Sequence, residues 1–167
     1  MQTSVHWLEN VAFEAKSESG HSVVMDGSPE YGGENRGPRP MELILMGLGG
    51  CASFDIVTIL KKSRQDVTNV VCQLKAERAD AIPAVFTKIH LHFVVTGKAV
   101  KEKQVAKAVE LSAEKYCSAS KMLSDGGVEI THDFEIIGSS RNFICECLKN
   151  KKLTVMLAFF MIRIIKK

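Results

Sequence analysis

Alternation of apolar and polar positions opens the chain. In SVHWLENVAFEAKS, Val5 and Trp7 and then Val11 and Phe13 recur at every second residue, and HSVVMDG follows after Ser19-Gly20. A period of two puts successive side chains on opposite faces of a pleated strand, so these segments predict a β-hairpin. Gly27 to Pro40, GSPEYGGENRGPRP, carries three of the four prolines and no apolar period. This segment predicts a loop longer than a plain connection requires, with a functional or mobile role.

The pattern then changes. From Met41 to about Arg64, apolar residues fall on nearly every side of a helical wheel: Ile44, Leu45, Leu48, Phe54, Ile56, Val57, Ile59 and Leu60. A helix apolar all round is a buried helix, and Pro40 stands where one can start. Glu42 and Asp55 interrupt the run, which argues against a membrane span. Gly47, Gly49 and Gly50 lie inside it, each costing about 1 kcal/mol relative to alanine. Such a cluster implies a crossing point where a second backbone comes close, from this chain or another subunit.

Asn69 to Glu77 and Thr87 to Gly97 return to strand character; in the second, Ile89, Leu91, Phe93 and Val95 alternate with His90, His92 and Val94. Lys101 to Cys117 predicts an amphipathic helix with Val105, Ala108, Val109, Ser112 and Tyr116 on one stripe. CSASKML predicts a short turn, Asp125 to Gly127 a break, and Val128 to Ile137 a last strand. The order ββ-α-ββ-α-β indicates an α+β fold rather than a doubly wound sheet.

Charge divides the chain in two. Residues 139–167 hold seven Lys/Arg and one acid, a balance of +6 within a total of +3, so the preceding 138 residues stand at −3. A mildly acidic body carries no nucleic-acid footprint. The sequence thus divides into a domain over 1–138 and a basic, apolar extension over 139–167. The apolar core of that extension, Leu153 to Ile162, is about half the length that spans a bilayer. Packing on a subunit, contact with a membrane surface and an aberrant extension remain open for it.

Five cysteines, Cys51, Cys72, Cys117, Cys145 and Cys147, are an odd number, and residues 1–20 lack the continuous apolar core of a secretory leader. A reducing, cytoplasmic setting is expected. Cys51 lies in the glycine-rich helix, where a buried thiol is ordinarily inert unless a positive charge compensates. Arg36 and Arg39, in the loop before the helix, are the candidates for that charge. Cys117 ends the second helix in EKYCSAS. Two helices with a cysteine beside Ser and Ala make a dithiol site geometrically reasonable, while two buried small hydrophobes is the alternative.

RPMELILMGLGGCAS, followed 66 residues later by the cysteine of AEKYCSAS, resembles the paired-cysteine signature of the OsmC/Ohr superfamily, the osmotically inducible and organic hydroperoxide resistance proteins. SAEKYC and THDFEII are most similar to its YhfA-like branch, and the resemblance spans about residues 1–137. It implies an OsmC-like intertwined homodimer, with antiparallel sheets enclosing central helices and thiol sites at the subunit interface. It also implies a mechanism. Cys51 attacks an organic hydroperoxide and becomes a sulfenic acid, Cys117 resolves it as a disulfide, and a dithiol such as a lipoyl group reduces the product. The family's peroxidases hold the thiolate with an arginine from the early hairpin loop and a glutamate just after the helix-start proline. Here Met41 follows Pro40 with Glu42 next to it, and the early loop offers Glu18. Arg36, Arg39 and Glu42 are the residues available as substitutes.

Two functions follow as expectations. One is a cysteine-based peroxidase acting on a small hydroperoxide or disulfide. The other is a stress-associated dimer that binds a small apolar ligand or handles disulfides without peroxidase activity. No cofactor and no metal is expected. His90 and His92 read as surface histidines, Cys145 and Cys147 as neither metal ligands nor a disulfide, Cys72 as core or sheet surface, and Lys121 as solvated or else polarising Cys117.

Overall fold

The computed structural model describes residues 1–138, so the extension and its cysteines lie outside the described residues. The N-terminal segment forms three strands where a two-stranded hairpin is expected: β1 (Thr3–Glu9), β2 (Ala12–Ser17) and β3 (Ser22–Met25). They pair as an antiparallel meander, with Trp7 opposite Phe13 and Ala15 opposite Val23. Two tight turns allow the extra reversal, one with Asn10 at φ +46° and one with Gly20 at φ +86°; Asn and Gly are the residues that enter this region at least cost.

The loop that follows is ordered around one carboxylate. Asp26 is buried and accepts the backbone N–H groups of Gly27 and Glu34 at 2.8 Å and of Arg36 at 3.1 Å. A carboxylate gathering three N–H donors from residues up to ten positions away turns a glycine-proline segment into a fixed knot. A short 3₁₀ turn, Pro29–Tyr31, lies within it. The long loop expected over Gly27 to Pro40 is thus present and is held by its own hydrogen bonds.

Helix α1 runs Pro40–Lys62. Proline occupies its first position, where the missing N–H costs nothing, and Glu42 reaches back to the Arg39 backbone N–H at 2.8 Å in a capping box. Strand β4 (Asp66–Arg78) pairs antiparallel with β5 (Phe86–Lys98); β6 (Glu129–Gly138) pairs with β5 in parallel. This second sheet is mixed, a correction to a wholly antiparallel arrangement. The parallel pairing is possible because the connection between β5 and β6 carries helices that cross over the sheet.

The core lies between that sheet and the helices. Leu48, Ala52, Ile56 and Leu60, spaced four apart along α1, are buried with Ile89, Leu91, Phe93 and Val95 of β5. Val105, Ala108 and Val109 of α2 (Glu102–Leu111) complete it. The alternation read in β5 is thus realised: the odd positions are buried, and His90 and His92 face outward. No residue of the β1–β3 sheet belongs to this core among the described residues; Val5, Trp7, Leu8 and Val23 are exposed.

The second predicted helix ends early. It is α-helical only to Leu111; a π turn over Ser112–Tyr116 follows, closed by the Cys117 N–H donating to the Ser112 carbonyl at 2.9 Å. Helix α3 then spans Ser118–Asp125. The extra residue of the π turn rotates the chain, so Tyr116, expected on the buried stripe, is 49% exposed while Ser112 stays buried.

Candidate functional site: a dithiol with a buried carboxyl

Cys51 sits midway along α1, one position from the buried Ala52, and is half-buried. Cys117 precedes α3 and is almost fully buried. Their packing brings the two sulfurs and a carboxylate oxygen of Asp55 within 4.8 Å of one another. Asp55 is four residues after Cys51, the spacing that puts two side chains on one face of a helix. The sequence shows this i, i+4 pair, but as a charge interrupting an apolar run it carries no sign of which face closes on Cys117.

Ser112 ties the helices together at this point, its Oγ donating to the Ala52 carbonyl at 3.2 Å. The Cys117 sulfur accepts the Ser120 backbone N–H at 3.4 Å. Burial pushes the Cys117 thiol up; the Ser120 hydroxyl and N–H oppose the rise and the Cys51 thiol adds to it. Burial also pushes the Asp55 carboxyl up, with the nearby Ser112 hydroxyl opposing. Its Oδ2 is buried and has no hydrogen-bond partner among the described residues. A carboxyl so placed holds its proton more readily than one in water.

Asp55 also lines a groove of about 470 Å³ between α1 and α2, together with Thr58, Lys62, Gln104, Lys107 and Tyr116. Of the three clustered residues, Asp55 is the one that lines this groove.

The other sequence-derived site residues are elsewhere. Arg36 forms an ion pair with Glu9 of β1 at 2.5 Å. Arg39 pairs with Glu42 at 3.3 Å, both at the start of α1. At 1.5 Å rise per residue, Arg39 and Glu42 lie about 18 and 13 Å before Cys51 along the helix axis. Within one chain, then, Cys51, Cys117 and Asp55 come together, and Arg36, Arg39 and Glu42 do not join them. Lys121 pairs with Asp125 one turn on, as a solvated lysine does. Cys72, on β4 under α1, is pushed up to about 11 by burial, which leaves it a thiol. His90 and His92 are tied to Thr131 and Asp133 of β6, at 2.8 and 2.5 Å.

The glycines have two different neighbourhoods. A Cβ on Gly49 would come within 2.7 Å of Leu74 Cδ1 on β4, so this glycine lets helix and sheet close together. Gly47 and Gly50 are exposed, and a Cβ added at either would meet nothing within 4 Å in the chain itself.

Comparison with known proteins matches residues 32–133 to a family described as OsmC-like protein. Protein YhfA of Escherichia coli (strain K12) is 46% identical over 139 residues, covering 83% of this chain and all of that protein. A crystal structure of a hypothetical protein from Aquifex aeolicus VF5 is 29% identical with a TM-score of 0.72, covering 83% of this chain and 97% of the other. The organic hydroperoxide resistance protein OhrB of Bacillus subtilis is 17% identical with a TM-score of 0.54, covering 80% and 96%; at that identity the likeness is one of fold.

Proposed function

The chain belongs to the OsmC-like protein family, and from that premise we propose that it is a thiol-dependent redox protein in which Cys51 and Cys117 reduce organic hydroperoxides. The observation that carries this reading is the approach of the two sulfurs to within 4.8 Å, from residues 66 positions apart. A disulfide needs them at about 2.05 Å, so its formation draws the two sulfurs together from this separation.

The half-buried Cys51 is the attacking thiol and the buried Cys117 the resolving one. The Cys51 thiolate attacks one peroxide oxygen; the S–O bond forms, the O–O bond breaks, and the alkoxide leaves as an alcohol after taking a proton. The Cys117 thiolate then attacks the sulfenic sulfur, forming the S–S bond as hydroxide leaves and is protonated to water. An external dithiol returns two electrons and restores both thiols. The setting this chemistry requires is a reducing one, the cytoplasm.

A homodimer is part of the proposal. Helix α1 has a mean hydropathy of 2.0 over its most apolar 18 residues, yet only 28% of that stretch is buried within one chain. Ile44, Met46 and Phe54 on α1 and Val5 and Trp7 on β1 are exposed together with Gly47 and Gly50. A second copy covering these faces accounts for apolar surface that one chain leaves in water. It also offers a route for Arg36, Arg39 or Glu42 of one copy to approach Cys51 of the other.

A second reading, a dimer that binds a small apolar ligand or handles disulfides without peroxidase turnover, is favoured by one observation. The ionisable group beside the two sulfurs is the Asp55 carboxyl rather than a guanidinium, and a negative charge there would disfavour the thiolate. Hydroperoxide consumption with a dithiol reductant separates the two, comparing tert-butyl or cumene hydroperoxide with hydrogen peroxide. Turnover of the organic peroxides that Cys51→Ser abolishes supports the peroxidase; wild type no faster than Cys51→Ser leaves the binding or disulfide-handling dimer.

A further inference from the structure

Two thiols and a carboxyl gathered in one place are also a donor set. We propose that Cys51, Asp55 and Cys117 form a binding site for a thiophilic divalent cation, Zn²⁺ being the ion whose chemistry suits these donors. The inference goes beyond the peroxidase reading and does not rest on it, since metal binding needs two reduced thiols and a carboxylate but no turnover.

The distances come first. Zn²⁺ binds sulfur at about 2.3 Å and carboxylate oxygen at about 2.0–2.2 Å with tetrahedral angles, which puts its ligand atoms about 3.5–3.8 Å apart. The three donor atoms here lie within 4.8 Å of one another. Closing by at most about 1.0–1.3 Å brings the three donor atoms to tetrahedral spacing. The supporting elements are fixed: Cys51 and Asp55 share one face of α1, and the Cys117 backbone is held by the π turn and by α3.

Asp55 supplies an independent observation. Its Oδ2 is buried without a hydrogen-bond partner among the described residues. A buried polar atom left unpaired is costly, and a cation bridging it to the two sulfurs would satisfy it. Unlike the thiols, this carboxyl has no role in the proposed peroxide chemistry.

The donor types narrow the ion. Thiolates are soft and disfavour Mg²⁺ and Ca²⁺, which take oxygen ligands; a carboxylate added to two thiolates suits a divalent ion of borderline softness rather than Cu(I). Three protein ligands leave a fourth position for water, and Asp55 borders a groove open to solvent. Each thiol releases its proton to solvent as the cation binds, so binding tightens as pH rises. A Cys51–Cys117 disulfide and the metal exclude each other because they use the same sulfurs.

Titration of the reduced, chelator-stripped full chain with Co²⁺, followed by displacement with Zn²⁺, tests the site. Cys145→Ser/Cys147→Ser serves as the background so that the tail thiols do not contribute. The expected result is about one Co²⁺ per chain, giving a thiolate-to-cobalt charge-transfer band that Zn²⁺ removes. Cys51→Ser, Cys51→Ala and Cys117→Ser each abolish the band, Cys72→Ser leaves it unchanged, and Asp55→Asn weakens binding about 10-fold or more. Circular dichroism confirms that each variant is folded. No band in the folded background protein, a band that survives loss of Cys51 or Cys117, or Asp55→Asn binding as tightly as the background overturns the proposal.

Discussion

The sulfur of Cys117 accepts the backbone N–H of Ser120 at 3.4 Å, so one of the two facing thiols is also the N-cap of α3. The same atom has a structural and a chemical role, and substitutions can separate them. Serine is a good N-cap and alanine a poor one. Cys117→Ser is therefore expected to unfold at nearly the wild-type denaturant midpoint, and Cys117→Ala to be less stable than the serine variant by about 0.5–2 kcal/mol. Urea titrations of the two variants measure the difference; equal midpoints would show that the cap contributes nothing.

Asp55 makes stability depend on pH in the sense opposite to an ordinary paired carboxylate. Burial raises its folded-state pKa above the usual 3.8, so the folded chain holds this proton more tightly than the unfolded chain. Its contribution falls as pH rises from the ordinary carboxylate range through the raised folded value. Asp55→Asn removes that loss. In metal-free, reduced protein the variant should melt above wild type near neutral pH, with the advantage shrinking toward pH ~4. A gap that does not change with pH would count against a raised carboxyl.

Asp26 behaves in the opposite way. Three backbone N–H groups hold its carboxyl below the usual range, that of Arg36 contributing most. Its stabilisation is present above the ordinary carboxylate pKa and is lost as pH falls through the lower folded value. Asp26→Ala should loosen the 27–40 loop, lower the melting temperature, and free Arg36 from its place opposite Glu9. Limited proteolysis reads this directly: cleavage within 27–40 should become faster than in wild type, and an unchanged digestion pattern would contradict the role given to Asp26.

Gly47 and Gly50 test the proposed dimer. In one chain a Cβ at either position meets nothing within 4 Å, so for an isolated monomer alanine there should stabilise the helix by about 1 kcal/mol each. If a second copy packs on this face, larger side chains will hold it off. Gly47→Leu/Gly50→Leu is expected to shift the protein from dimer to monomer in light scattering at micromolar concentration, with the helical signal retained. A dimer that survives this pair of substitutions places its interface elsewhere.

Much of the fold is legible along the chain. Ile89, Leu91, Phe93 and Val95 alternate because one side of β5 faces α1 and the other faces water, and Pro40 and Glu42 mark the first turn of α1 by the orphan N–H groups they spare or satisfy. Local signals of this kind survive because the backbone period fixes which neighbours share a face. The π turn is not legible in this way. It is set by Ser112 bonding across to the Ala52 carbonyl while its own carbonyl takes the Cys117 N–H, and an amphipathic period has no term for such a contact. The first sheet differs for a simpler reason: SVHWLENVAFEAKS, read as one stretch, reverses at Asn10 (φ +46°) into β1 and β2, and one asparagine is a weak turn signal beside the Ser19-Gly20 pair.

Spacing and short motifs are enough to establish the α+β class and the long apolar helix α1, and they single out Cys51 and Cys117, because each is written locally along the chain; how much of α1 one chain buries is not written there, and Ile44, Met46 and Phe54 are exposed. Which groups meet depends on packing. Cys51 and Cys117, 66 residues apart, converge as α1 packs against the π turn and α3, and the same packing turns Asp55 from a charge in an apolar run into the third member of the cluster. Arg36, Arg39 and Glu42 are nearer in sequence to Cys51 than Cys117 is, yet the rise of a rigid helix and the local pairs with Glu9 and within the capping box keep them away from it. Proximity along a chain is limited by the stiffness of the element that carries it, whereas proximity in space is set by which apolar faces must leave water.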